Sequence, residues 1–191
     1  MKRISTQEAI LLEAFDDKPA EFKAETYQKI IKPFEENKLR IIETASLIEE
    51  HLERIITFYF FGRTIPENKI TSEKFQSFIL SSDWCSFSSK RKLILHIINE
   101  EKLLQGSEKN DFENLLRKTM SYRNAFTHGT MATNGEIIRL KYYEGSTKIK
   151  NIDDDYLTEI ENDLNRTFDL TMDLSIRIGS TILHDSQQNA L

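Results

Sequence analysis

One long stretch with apolar residues at every third or fourth position constrains the fold most. It covers residues 34–61, and Glu and Arg fill much of the remainder. This spacing predicts an amphipathic α-helix, about 40 Å long at a rise of about 1.5 Å per residue. Its end, residues 58–61, is apolar on all sides, which predicts burial in the core or against another chain. Gly62 is expected to close this helix.

Other parts of the chain also favour helices. Its 191 residues include only three Pro and six Gly, so helix breakers are few. A second long helix is expected from a cap at residues 153–155 to about His184. Shorter helices are predicted as well. Loops are expected at 62–70 and 105–110, and the expected N-terminal caps of two of these helices are Ser88 or Ser89 and Asp111. These shorter helices cover residues 5–17, 20–31, the stretch from about 71, 90–100 and 111–128.

Beyond Gly129 the apolar period changes from about 3.6 to 2. Residues 136–143 and 147–152, joined at 144–146, predict a β-hairpin that is entered through a turn at Asn134-Gly135. The predicted fold class is therefore all-α: an up-and-down helical bundle with two long helices and a β-hairpin inserted after the helix that ends near residue 128.

The predicted domain organisation has three parts. An N-terminal helical extension covers residues 1–33, and the bundle covers 34–185 with the hairpin at about 134–152. A disordered tail covers 186–191.

Composition excludes several classes of protein. The net charge of −5 argues against a protein that coats nucleic acid, but it allows an enzyme that contacts a few phosphates in a cleft. The single cysteine, Cys85, predicts neither an internal disulfide nor a cysteine metal cluster, and it favours a cytoplasmic protein. No secretion signal or apolar run of about 18 residues is present, so no membrane association is expected. No metal or cofactor is predicted.

The stretch SYRNAFTHG at residues 121–129 holds the main candidate catalytic residues, Arg123, Asn124 and His128. Asn124 and His128 are spaced i, i+4 and share a helix face, whereas Arg123 lies about 140° around from His128. Gly129 is expected to end the helix in a left-handed conformation. His128 then lies in the last turn, where unpaired carbonyls favour a cation and promote its protonation. An always-charged phosphate binder beside a titratable imidazole suits phosphodiester cleavage without a metal.

A purely structural interpretation of this stretch remains open. Arg123 then pairs with a buried carboxylate, for which Glu50 and Glu53 are candidates, and His128 caps the helix. His51 and His96 are expected at the margins of the core rather than in a catalytic site.

Three cations outside this stretch are candidate substrate-binding residues. Lys90 opens a predicted helix together with Arg91 and Lys92, and this group is either a solvated face or a phosphate-facing patch. Arg139 and Lys141 make the hairpin locally basic. They either flank the same cleft as His128 or protect the edge of the sheet and aid solubility.

These features resemble the HEPN superfamily (higher eukaryotes and prokaryotes nucleotide-binding domains). The family motif is an arginine, usually followed by a polar residue, and then a histidine after four to six residues, which Arg123, Asn124 and His128 match as RNxxxH. The sequence ASLIEEHL at 45–52 is similar to the family's early long helix. The FSSK sequence at 87–90 and the YRNAFTH sequence at 122–128 are similar to the branch of mannitol-operon repressor-like and phage-defence proteins. The resemblance covers roughly residues 35–185.

The resemblance implies a helical bundle that forms a homodimer with two motif copies across one cleft. It implies a metal-independent endoribonuclease that binds RNA and acts as a toxin or in phage defence, with an antitoxin protein as partner. In toxin–antitoxin pairs a tyrosine commonly follows two residues after the histidine, whereas this chain has Thr130.

Two rival functions use the same residues. One is a non-catalytic HEPN-like module that binds a protein partner or regulates transcription, which the acidic net charge favours. The other is a sensor that binds a free nucleotide.

Overall fold

The structure, a computed structural model, describes residues 27–62, 66–133 and 137–188. This part of the chain is mostly helical and has one small antiparallel sheet, as the sequence predicts in outline. Short π-helical turns lie at Tyr27–Ile31 and Gln76–Leu80. The other elements are α1 (Lys32–Phe61), α2 (Pro66–Phe75), α3 (Phe87–Glu100), α4 (Gly106–His128), β1 (Thr130–Thr133), β2 (Ile138–Tyr143), β3 (Thr147–Ile152) and α5 (Asp154–Gln188).

Both predicted long helices are present, as α1 and α5. Gly62 ends α1 as expected: its φ is 67°, and its N–H donates to the Phe58 carbonyl at 2.8 Å. Asp153 caps α5, because its Oδ1 accepts a hydrogen bond from the Tyr156 N–H at 2.8 Å. Helix α5 continues to Gln188, past the expected end at His184.

Two helices begin earlier than predicted. The predicted loop at 62–70 contains the start of α2 at Pro66, a residue that suits the first position of a helix. The predicted loop at 105–110 is helical from Gly106 onward. Asp111 does not cap α4. Its carboxylate instead accepts a hydrogen bond from Arg166 at 2.9 Å.

The start of α3 also differs from the prediction. Its cap is Ser86, whose Oγ accepts from the Ser89 N–H at 3.3 Å, rather than Ser88 or Ser89. The helix therefore begins at Phe87, so Lys90 lies one turn inside it.

The predicted hairpin is confirmed as β2 and β3, with Tyr143 opposite Thr147 and Ile138 opposite Ile152. Strand β1 was not predicted. It pairs antiparallel with β2, giving the order β1-β2-β3. The predicted helix at 5–17, most of that at 20–31, the Asn134-Gly135 turn and residues 189–191 lie outside the described residues.

The chain divides into two compact units. The first contains Met1–Thr44 and Ser121–Asn162, and the second contains Ala45–Met120 and Asp163–Leu191. In the first unit one face of the sheet is buried, and the Phe34 and Phe126 rings stack at 6.0 Å. The second unit has a core of aliphatic and aromatic side chains: Ala45, Ile48, Leu52, Ile56, Ile94, Ile97, Ile98, Phe112, Leu116, Leu174 and Ile178.

Candidate functional site

The candidate catalytic residues occupy the last turns of α4, in the first unit. Asn124 and His128 are both exposed, and His128 is the last helical residue. Arg123 is half-buried. It makes an interaction within the chain. The arrangement presents an imidazole and an amide to solvent beside a partly sheltered guanidinium.

Gly129 ends α4 for a different reason from the one expected. Its φ is not positive, so the left-handed cap prediction is wrong. The residue instead lies where the helix meets β2: a Cβ on Gly129 would clash with the Ala125 carbonyl oxygen and lie 2.9 Å from Cδ1 of Leu140. The same Cβ would lie 3.1 Å from the Lys141 carbonyl oxygen. Only glycine lets the backbone after His128 approach β2 this closely.

Replacing Gly129 with alanine is expected to lower the free energy of unfolding by about 1–3 kcal/mol, because the added methyl group overpacks a closed contact. Urea denaturation measures the change. Gly179→Ala is the matched control, since its Cβ would meet nothing nearer than Phe58 Cε1 at 4.0 Å. In the interior of α5 that change is expected to stabilise by roughly 0.5–1 kcal/mol. A neutral or stabilising Gly129→Ala would contradict the close approach.

The hairpin also contacts α4 about two helical turns before Gly129. Ser121 Oγ donates a hydrogen bond to Glu144 Oε1 at 2.8 Å. Lys141 in β2 therefore lies against Gly129, and Glu144, the residue after β2, contacts Ser121. Between these two contacts the chain runs alongside the helix turns that carry Arg123. Sequence reasoning missed this tether, because a serine and a glutamate 23 positions apart carry no periodic signal.

Arg139 and Lys141 are brought close to the candidate catalytic residues by strand pairing. Lys141 is opposite Thr130 and Arg139 is opposite Ala132 in β1, which begins two residues after His128. Lys141 is exposed, whereas Arg139 is half-buried and interacts within the chain. Both side chains lie on the face of the sheet opposite to buried Leu140.

Lys90 is not exposed, and the prediction that it faces a phosphate is corrected. Its side chain is only 4% exposed, and its Nζ donates to Glu49 Oε1 and to Glu53 Oε1, both at 2.6 Å. Burial alone would lower the pKa of Lys90, but the hydrogen bonds to Glu49 and Glu53 outweigh it and raise the pKa. Ser81 Oγ donates to the other oxygen of Glu53 at 2.7 Å. Lys90 belongs to the second unit, unlike the other five candidates.

The two carboxylates suggested for Arg123 have other partners. Glu53 binds Lys90, and Glu50 accepts a hydrogen bond from Arg54 on the same helix.

The histidines His51 and His96 differ from each other in exposure. His51 is half-buried with its ring edge against Phe168 at 5.2 Å, as predicted. His96 is 74% exposed, so its prediction as a residue of the core margin is wrong.

Tyr156 at the start of α5 contacts both α4 and the hairpin. The Tyr156 ring contacts Tyr122 edge-on at 6.4 Å, and Lys150 Nζ lies 4.6 Å from the centre of the Tyr156 ring. Burial raises the pKa of Tyr156 well above its usual range. Burial and then the charge of Glu144 raise the pKa of Tyr142. Both phenols therefore stay neutral at physiological pH and act in packing.

The described residues contain no group of three or more His, Cys, Asp or Glu side chains that could hold a metal ion. Within the same ranges, no helix combines the length and the apolar character that crossing a membrane requires.

Comparison of the chain with protein-family models, with curated proteins and with solved structures gives no match.

Proposed function

We propose that this chain is a metal-independent endoribonuclease of the HEPN type that acts as a toxin or in phage defence. The observation that carries the proposal is the exposure of Asn124 and His128 together at the end of α4, next to half-buried Arg123. The proposal includes an up-and-down helical bundle, a homodimer in the cytoplasm and an antitoxin protein as regulatory partner.

The reaction is attack of a ribose 2′-hydroxyl on the adjacent phosphorus. A bond forms between O2′ and phosphorus, the bond from phosphorus to O5′ breaks, and His128 takes the O2′ proton. The His128 of the second copy gives a proton to the departing O5′. The products are a 2′,3′-cyclic phosphate and a 5′-hydroxyl, so the reaction needs no metal or external nucleophile.

Each of the other residues has a separate role in this proposal. Arg123 stabilises the crowded phosphate through two parallel hydrogen bonds, which its planar guanidinium suits. Asn124 orients His128 or the substrate from the same helix face. Arg139 and Lys141 attract the flanking phosphates. Lys90 has no part, because its ammonium group is buried between two carboxylates.

The experiment is cleavage of a single-stranded RNA by purified protein in excess EDTA. We expect full activity under chelation, with 2′,3′-cyclic phosphate and 5′-hydroxyl ends identified by mass spectrometry. Loss of cleavage on chelation, or products with 3′-hydroxyl and 5′-phosphate ends, would contradict the mechanism.

A second candidate function is a non-catalytic module that binds a protein partner. It is favoured by exposed large apolar side chains in the second unit, namely Phe60, Ile70, Phe78 and Trp84. Exposed apolar side chains mark a protein interaction site where they form a contiguous patch. Induced expression separates the two functions, since a ribonuclease arrests growth of the host and a binding module leaves growth independent of His128.

A further inference from the structure

The three-stranded sheet has two chemically different faces. Along β2, Ile138 and Leu140 are buried, while Lys141 and Tyr143 are exposed on the opposite face. We call the exposed side the outer face; it comprises Arg139, Lys141 and Tyr143 of β2 with Ile149 of β3. Ile149 is opposite Lys141 in the register. The outer face therefore combines two cations with two large apolar side chains.

Tyr143 is the most exposed large side chain of this face, at 76%, and Ile149 is 65% exposed. Tyr143 pairs across the sheet only with Thr147, a small residue that leaves the ring face uncovered. Leaving an aromatic ring exposed to water to this extent forgoes the free energy that is gained when the ring packs against another group. The ring is thus available as a stacking platform.

The charge of the hairpin is opposite to that of the whole chain. Between residues 137 and 152 four cations, Arg139, Lys141, Lys148 and Lys150, accompany one carboxylate, Glu144, whereas the whole chain has a net charge of −5. The Glu144 carboxylate is already bound by Ser121. Arg139 and Lys141 lie on the outer face, whereas Lys148 and Lys150 are opposite Tyr142 and Leu140 and therefore lie on the other face. Two cations beside an exposed aromatic ring are complementary to a polyanion with flat bases.

The outer face begins next to the candidate catalytic histidine. The Lys141 backbone lies against Gly129, the residue that follows His128. Residues on one face of a strand are about 6.7 Å apart, so Tyr143 lies one such step beyond Lys141. A strand of nucleic acid that passes His128 can therefore contact Lys141 and then Tyr143.

We propose that the outer face binds unpaired RNA, with one base flanking the cut stacked on Tyr143 and the adjacent phosphate held by Lys141. The inference rests on the proposed function and adds to it an RNA-binding surface outside the RNxxxH motif. Stacking on a side chain requires a base whose own faces are free, and paired bases in an A-form helix do not offer this.

The test measures binding of a fluorescent single-stranded RNA by the full chain carrying His128→Ala, which prevents cleavage. Adding Tyr143→Ala is expected to weaken binding about 10-fold, within the range of one lost base stack. Tyr143→Phe keeps the ring and is expected to retain the affinity. Trp84→Ala removes an aromatic side chain of similar exposure, 67%, from the second unit and is expected to change nothing.

The outcomes distinguish this inference from the function on which it rests. Equal affinity of the Tyr143→Ala and parent proteins, in a protein that cleaves RNA, would overturn the stacking role and leave the nuclease intact. Equal affinity for single-stranded RNA and a blunt duplex of the same sequence would overturn the stacking of an unpaired base on Tyr143. Absence of both RNA binding and RNA cleavage would reject the proposed function and this inference together.

Discussion

Replacing His128 with alanine is expected to reduce RNA cleavage by more than about two to four orders of magnitude, the usual contribution of one general acid or base, because the variant assembly lacks both. The loss should appear in kcat, because the imidazole moves protons in the transition state and contributes little to binding of the ground state. Single-turnover cleavage of a labelled RNA at saturating protein measures it. The fold should be unaffected, since His128 is exposed at a helix end.

His96→Ala is the matched control for this prediction. His96 is also an exposed helical histidine, at 74%, but it lies in α3 of the second unit. The His96→Ala protein is expected to cleave RNA at the wild-type rate, and the thermal unfolding of both variants is expected to match that of the wild type. Equal activities of His128→Ala and wild-type protein would remove the histidine from the mechanism.

Replacing Lys90 with methionine is expected to lower the free energy of unfolding by about 3–5 kcal/mol, the cost of breaking a buried ion pair by removing one partner. Methionine keeps most of the side-chain length, so little volume is lost. It leaves the Glu49 and Glu53 carboxylates, 13% and 9% exposed, without their shared cation. Urea denaturation at pH 7 measures the change.

Arg54→Met is the control for Lys90→Met, since it also removes a cation paired with a glutamate, but in the exposed pair with Glu50. The expected loss is about 0–1 kcal/mol. The pH dependence has a definite sign. Because the folded-state pKa of Lys90 is raised above 10.5, its stabilisation is present at neutral pH and is lost as pH rises through that raised pKa. Similar losses in both variants would contradict a stabilising cluster around Lys90.

Periodicity predicts the parts of this fold that depend on local pattern. Helices α1 and α5 follow from apolar spacing, and the cap at Asp153 follows from its position before an apolar stripe. The hairpin follows from the change of period after Gly129. The shared helix face of Asn124 and His128 follows from helix geometry alone.

Features that depend on distant residues were not predictable. Strand β1 has only four residues and follows α4 after a single residue, so neither length nor a turn signal marks it. The role of Gly129 depends on Leu140 and Lys141, which reach it only through strand pairing. Lys90 is adjacent to Arg91 and Lys92 in the sequence, and a run of cations usually indicates exposure. Its burial is explained by the carboxylates of Glu49 and Glu53 on another helix.

The central claim is that one active site uses the His128 of two copies of the chain. The direct measurement uses differently tagged wild-type and His128→Ala chains, co-expressed and purified through both tags, to isolate an assembly with one wild-type copy. We predict that this mixed assembly cleaves RNA at least about 100-fold more slowly than the wild-type assembly, because either the acid or the base is absent. A mixed assembly with half of the wild-type activity, or failure of the two tags to co-purify, would contradict the claim.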